Sequence, residues 1–207
     1  MMMIEEFGAR VASVWAGLRP TTRHLVERAL QSSGTPAPTQ TGRRRSPYDA
    51  RADWELSRLL AALDERAREA GVSLSEVQAG ELRRMADTCA VVLENQTQSA
   101  EVFAQLVRRA HAQRDYARID VLADALASRF APTEVCELAR SANPIVRALA
   151  LETLAQSPTS VLIGLLVDPV DSEIARDALE CQAADYGSEQ ARQIVSALDQ
   201  ADTEEDI

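Results

Sequence analysis

Two stretches in the C-terminal half of this chain are near copies of one another. The run Asn143-Pro144-Ile145-Val146-Arg147-Ala148-Leu149-Ala150-Leu151-Glu152 is followed by Asp168-Pro169 leading into Ile174-Ala175-Arg176-Asp177-Ala178-Leu179-Glu180. Aligning Val146 with Ile174 also aligns Ala150 with Ala178, Leu151 with Leu179 and Glu152 with Glu180, a constant offset of 28. A period of that length belongs to helical repeats, in which one helix pair cannot bury its own apolar face and must stack on the next. The expected fold is therefore all-α: a right-handed α-solenoid of antiparallel helix pairs with a helical N-terminal cap or extension.

Composition agrees with that class. Of 207 residues 46% are hydrophobic and only 4% aromatic, so small and medium aliphatic side chains must do the packing. The eight Gly and eight Pro fall mostly between periodic segments. All 22 basic residues are Arg, which excludes a phosphate-loop lysine, a Schiff-base lysine and a kinase-type phosphate lysine. Charge is uneven. Residues 1–51 hold eight Arg against four carboxylates, a net of +4, so the remainder of a chain of net charge −10 carries −14. An acidic body repels phosphate backbones, which argues against nucleic acid as a partner for the repeats.

Cys89, Cys136 and Cys181 are odd in number, far apart and set in Ala-, Val- or Leu-rich helical stretches, as expected of buried thiols in a reducing compartment. No apolar run reaches the length of a membrane span, and Glu5 and Glu6 stand where a secretory leader needs positive charge. These features predict a cytoplasmic bacterial protein.

Periodicity and punctuation divide the chain into five segments. Residues 1–31 read as an amphipathic arm, with Ile4, Phe7, Val11, Val14, Trp15 and Leu18 at helical spacing and a second short helix from His24 to Leu30. Residues 32–48 form a flexible Ser-, Gly-, Thr- and Pro-rich linker containing Arg43-Arg44-Arg45, and a segment of that composition cannot bury enough apolar surface to order itself. Residues 49–113 carry three long helices as a cap or solenoid extension. In the first, Trp54, Leu56, Leu59, Leu60, Leu63 and Ala67 are expected to face inward and Gly71 to close the helix; Ser73 and Glu76 have capping-box spacing for the next. Residues 114–200 hold short helices at about 115–130, 133–141, 144–156, 159–167, 172–185 and 188–199. Residues 201–207 form a disordered acidic tail.

Residues 141–181 resemble the short HEAT-like repeats associated with phycobilisome lyases, in which an Asn/Asp-Pro turn precedes a Val-Arg-like pair and then Ala-Leu-Glu. Asn143-Pro144, Val146-Arg147 and Ala150-Leu151-Glu152 carry the pattern; Asp168-Pro169, Ile174 and Ala178-Leu179-Glu180 repeat it with Ala175 in place of the Arg and a turn three residues longer. An earlier unit, lacking the Pro and the Glu of the pattern, begins at Asp115, with Leu122 and Leu126 lying one period before Ala150 and Leu154. The resemblance implies a structural role for Arg147 and recognition of other proteins, or, in the lyase members, of bilin chromophores.

No catalytic pattern emerges. His24 and His111 lack neighbours at metal-ligand spacing, and there is no Gly-x-Ser-x-Gly, no Cys-x-x-Cys and no glycine-rich phosphate loop. The expected function is a non-catalytic scaffold, without cofactor or metal, that binds a protein partner. Its expected contact residues are Phe7, Val11, Trp15, Leu18 and Trp54, with the arm as a second contact or a homodimerisation element. Arg108, His111, Arg114 and Arg118 form a basic stripe suited to an anion or an acidic partner segment. A chromophore-lyase-like enzyme and a nucleic-acid-binding HEAT-like protein are the alternatives.

Overall fold

The computed structural model describes residues 4–32, 48–69 and 74–205. Among them the chain is wholly helical, with a 3-10 turn at Ile4–Phe7 and eleven α-helices: α1 Ala9–Gly17, α2 Pro20–Ser32, α3 Ala50–Glu69, α4 Glu76–Gln96, α5 Ala100–Ala112, α6 Tyr116–Arg129, α7 Pro132–Ala139, α8 Pro144–Ala155, α9 Thr159–Leu165, α10 Ser172–Ala184 and α11 Glu189–Glu205. None is long and apolar enough to cross a membrane. The Arg43–Arg45 triplet, Gly71 and Ser73 lie outside the described residues. Residues 201–205, expected as disordered tail, instead continue α11.

Two compact units divide the chain at Val102 and Phe103, within α5 rather than at the expected boundary near 113. Unit 1 absorbs the supposed arm. Helix α1 packs on α3, the 3-10 turn on α1 and α4, and α2 on α4 and α3. The single helix expected over residues 4–18 breaks at Gly8, whose φ of 106° is strained for any residue with a Cβ. Phe7 and Val11, on either side of that break, are both buried in the core. On α3 the buried stripe is Asp53, Leu56, Leu59, Leu60 and Leu63, while Trp54 and Ala67 face outward, which corrects their inward assignment. The N-terminus of α4 is closed by a capping box of Ser75 and Gln78, not Ser73 and Glu76: the Ser75 hydroxyl accepts from the Gln78 N–H and the Gln78 side chain accepts from the Ser75 N–H.

In unit 2 the N-cap positions of alternate helices are Asp115, Asn143 and Asp171, each one repeat period from the next. The helices they open stack in order, α6 on α8 and α8 on α10, while α7 packs on α8 and α9, and α10 on α9 and α11. Leu122, Ala150 and Ala178 are buried at one repeat position; Leu126, Leu154 and Gln182 are buried at another. The period read from the sequence thus appears as helix starts at residues 116, 144 and 172. Pro169 sits in a turn and not at a helix start, because the Asp168 side chain accepts from the Val170 N–H and its carbonyl from Ser172, delaying α10 to Ser172. The pairing of Leu151 with Leu179 fails in burial: Leu179 is enclosed and Leu151 exposed.

Candidate functional site

Of the five side chains expected to meet a partner, Phe7, Val11 and Leu18 are core residues of unit 1 and offer no surface. Their amphipathic pattern is satisfied inside the chain, which corrects their assignment as partner contacts. Trp15 is half-buried. Trp54 is 53% exposed, and the Arg58 guanidinium lies 4.7 Å from its ring centroid, a cation–π contact that holds the indole against the helix surface. A small cleft beside it is lined by Val14, Gly17 and Leu18 together with Trp54, Glu55 and Arg58.

The feature that sequence reasoning missed lies directly beneath. Asp53 and Glu55, at 0% and 4% exposure, are buried on α3. Buried carboxylates are costly unless fully hydrogen-bonded, and these are. Glu55 accepts from Thr22 Oγ1 at 2.5 Å, from the Arg19 backbone N–H at 3.3 Å and from Arg19 Nε at 3.0 Å, and pairs with Arg51 Nε at 3.4 Å. Arg19 also donates to Asp49 at 2.9 Å. Burial pushes the Glu55 carboxyl up, but the hydrogen bonds from Thr22 and Arg19 and the Arg19 charge outweigh it, so it ends below the usual glutamate value. Asp53 accepts from Tyr48 Oη at 3.0 Å and from Gln96 Nε2 at 3.1 Å. Burial and the Asp53 charge push the Tyr48 phenol up to about 12, keeping it a proton donor. The cluster ties the α1–α2 turn, α2, α3 and the end of α4 together. Every acceptor is occupied, so its chemistry is that of a fastening rather than of a reactive centre.

The basic stripe of unit 2 is dispersed around a turn. Arg108 and His111 project from α5 into solvent, Arg114 occupies the turn, and Arg118 is half-buried on α6. Arg114 has φ 58°, with its N–H bonded to the His111 carbonyl and the Asp115 N–H to the Ala110 carbonyl, the pattern of a Schellman turn. Asp115 then caps α6 by accepting from the Arg118 N–H. Arg108, His111 and Arg114 make no ion pair with a described residue.

A second pattern follows the repeat. Asp124, Glu152 and Glu180 recur at one repeat position on α6, α8 and α10, and all three are exposed. Beside them Leu151 and Tyr186 are exposed, and Tyr186 Oη donates to Glu152 Oε1 at 3.0 Å. Between repeats the bonds are structural. Arg140, at the end of α7, donates to the Val170 carbonyl at 2.8 Å and to the Asp171 carboxylate. Gln182 donates to the carbonyls of Ala155 at 3.1 Å and Ser157 at 2.6 Å. Arg147 donates to the Ser141 carbonyl at 3.0 Å, in its own turn.

The cysteines do not form a reactive site. Cys89 and Cys136 are buried, and burial together with the nearby Asp171 charge raises the Cys136 thiol to about 11, far from thiolate at neutral pH. Cys181 is half-buried, and burial and its hydrogen bond to Asp185 likewise move it upward. Among the described residues no group of three or more His, Cys, Asp or Glu is placed to hold a metal ion. No family profile, curated protein or solved structure matches the chain.

Proposed function

We propose that the protein is a non-catalytic helical-repeat scaffold. In this reading unit 2 is a right-handed solenoid segment of HEAT-like helix pairs that binds a basic stretch of a protein partner. The observation that carries it is the exposed carboxylate series Asp124, Glu152 and Glu180 at one repeat position on helices that stack in order. Stacked helices sit about 8–10 Å apart, so equivalent carboxylates form a ladder with a spacing that an extended basic segment can follow. The charge of the unit supports the same reading, with nine Arg against 18 carboxylates over residues 103–207. Leu151 and Tyr186 add apolar surface beside the ladder. Trp54 and Arg58 of unit 1, a pair of residue types enriched at binding hot spots, serve as a second contact.

Affinity purification from the native host, using the intact chain and the variant D124N/E152Q/E180Q, tests this. The intact chain should retain a partner with an Arg- or Lys-rich segment, released by moderate salt; the triple variant should lose it while keeping its helical content by circular dichroism. Recovery of the same partner by both forms would overturn the ladder reading. Trp54→Ala should weaken capture without abolishing it.

A further inference from the structure

We propose that α4 is a dimerisation helix, and that its outward stripe Val77, Gly80, Arg84, Asp87 and Val91 pairs antiparallel with the same stripe of a second copy. Successive spacings of three, four, three and four residues keep these positions on one face of the helix at the spacing of a two-stranded seam, with a valine at each end. The opposite face of α4, with Leu82, Met85, Cys89 and Leu93, is spent in the core of unit 1. The seam is open to solvent, with Val77 at 72% and Val91 at 46% exposure. It borders a groove of about 490 Å³ whose far wall is Ala29 of α2.

Gly80 is the second observation. It sits inside a 21-residue helix with an ordinary helical backbone, where glycine weakens the helix, and a Cβ there would meet nothing within 4 Å. Among the described residues nothing requires the missing side chain. An antiparallel partner does. In the seam register that brings Arg84 opposite Asp87 of the second copy, Val91 of each chain falls opposite Gly80 of the other, so a branched side chain enters the space that the glycine leaves. The twofold axis makes both contacts occur twice, as an isologous interface demands.

Charge selects the direction. A parallel pair would set Arg84 against Arg84 and Asp87 against Asp87, whereas the antiparallel pair makes two bridges of opposite sign. Arg84 uses one N–H at 2.8 Å on the Leu30 carbonyl at the end of α2, and its five-donor fork retains others for a carboxylate. One helix pair with the α2 rim lies at the small end of interface sizes, so the dimer belongs to the weak, concentration-dependent class.

Sedimentation equilibrium of the full chain from low micromolar to submillimolar concentration tests the assignment. The wild type should pass from monomer to dimer. Gly80→Leu, which improves helix propensity and fills the pocket for Val91, should remain monomeric with an unchanged or raised melting temperature. Asp87→Arg and Arg84→Asp should each weaken self-association at least tenfold. An equimolar mixture of these two variants should recover it as a heterodimer, because both bridges then pair opposite charges, an outcome that a folding defect in either variant does not produce. A wild type monomeric throughout the range, a dimer indifferent to Gly80→Leu, or failure of the mixture to associate would each overturn the proposal.

Discussion

The two units use the same residue types for opposite purposes. Unit 1 is nearly balanced, with 13 Arg against 14 carboxylates over residues 1–102, and it takes two of those carboxylates, Asp53 and Glu55, into its interior. Unit 2 has twice as many carboxylates as Arg, and Asp171 is its one buried charged side chain among the described residues. The difference follows from architecture. A repeat fixes each helix against its neighbour by the same small set of aliphatic contacts and caps, used again in every period. Helices of unlike length with no repeat have no such template, and a hydrogen-bonded ionic cluster lets α1, α2, α3 and α4 meet in one arrangement only. We take the cluster to supply specificity more than net stability, since a buried ion pair is often no more stabilising than an apolar replacement of equal volume.

Cutting the cluster is the strongest way to separate the units. Glu55→Ala leaves the partly buried Arg19 and the Thr22 hydroxyl without their acceptor and should cost unit 1 about 2–4 kcal/mol, somewhat less than the roughly 3–5 kcal/mol for breaking a fully buried pair because Arg19 is partly solvated. Both tryptophans, Trp15 and Trp54, belong to unit 1, so urea unfolding followed by indole fluorescence should shift to lower denaturant. A transition assigned to unit 2 by circular dichroism should stay in place. The same carboxylate gives a pH dependence of known sign. Its folded pKa is lowered, so its contribution is complete above the unfolded glutamate value and is lost as pH falls through the folded one. Acid titration of the wild type should therefore destabilise unit 1 more steeply than the Glu55→Ala variant; parallel curves would show that the carboxylate is not what holds the arm.

Unit 2 has its own exception at Gln182. Leu126 and Leu154 occupy the two preceding repeats at this position, yet Gln182 is equally enclosed. Its amide reaches back to the carbonyls of Ala155 and Ser157 and accepts from Thr159 Oγ1 at 3.1 Å. Gln182→Ala should cost about 1–3 kcal/mol, from the buried Ala155 carbonyl left unpaired and the space vacated. Gln182→Leu restores the repeat residue and keeps the volume, so its loss should be smaller. If calorimetry finds the Leu variant as damaged as the Ala variant, the amide bonds matter more than the packing, and unit 2 is closer in kind to unit 1.

These exceptions explain what was legible in the sequence. Helices α6 to α10 begin and end within two residues of their expected bounds, because Asn143, Pro144 and Pro132 punctuate locally and the repeat supplies a second reading of each position, whereas α11 runs six residues past its expected end. On α3 the expected Leu56, Leu59, Leu60 and Leu63 are buried, but periodicity alone also puts the large aromatic Trp54 inward. Asp53 and Glu55 become good core residues only once Tyr48, Gln96, Thr22 and Arg19 surround them, and those partners lie up to 43 residues away. The docking of α1 and α2 was hidden for the same reason: an amphipathic arm looks alike whether its apolar face meets a partner or its own chain. Asp171 shows the limit even within a repeat. It holds the N-cap position of Asp115 and Asn143, but its carboxylate makes no cap bond and goes to Arg140 instead.

The finest contrast is between two turns of unit 2 that each hold one residue in the left-handed region. Gly187, between α10 and α11, has φ 66°, and Arg114, between α5 and α6, has φ 58°. Left-handed geometry suits glycine and costs a residue with a Cβ about 1 kcal/mol. A Cβ at Gly187 would meet no atom within 4 Å, so Gly187→Ala should lower stability by about 1 kcal/mol through the backbone alone. Arg114→Gly should raise it by about 0.5–1 kcal/mol, since it supplies the residue that a Schellman turn favours. Opposite signs in paired thermal melts would mean that backbone strain at the left-handed residue decides the stability of both turns. A loss at Arg114→Gly would instead mean that the guanidinium makes a contact worth more than the strain it imposes, and would make the α5–α6 turn the first place to look for an acidic ligand.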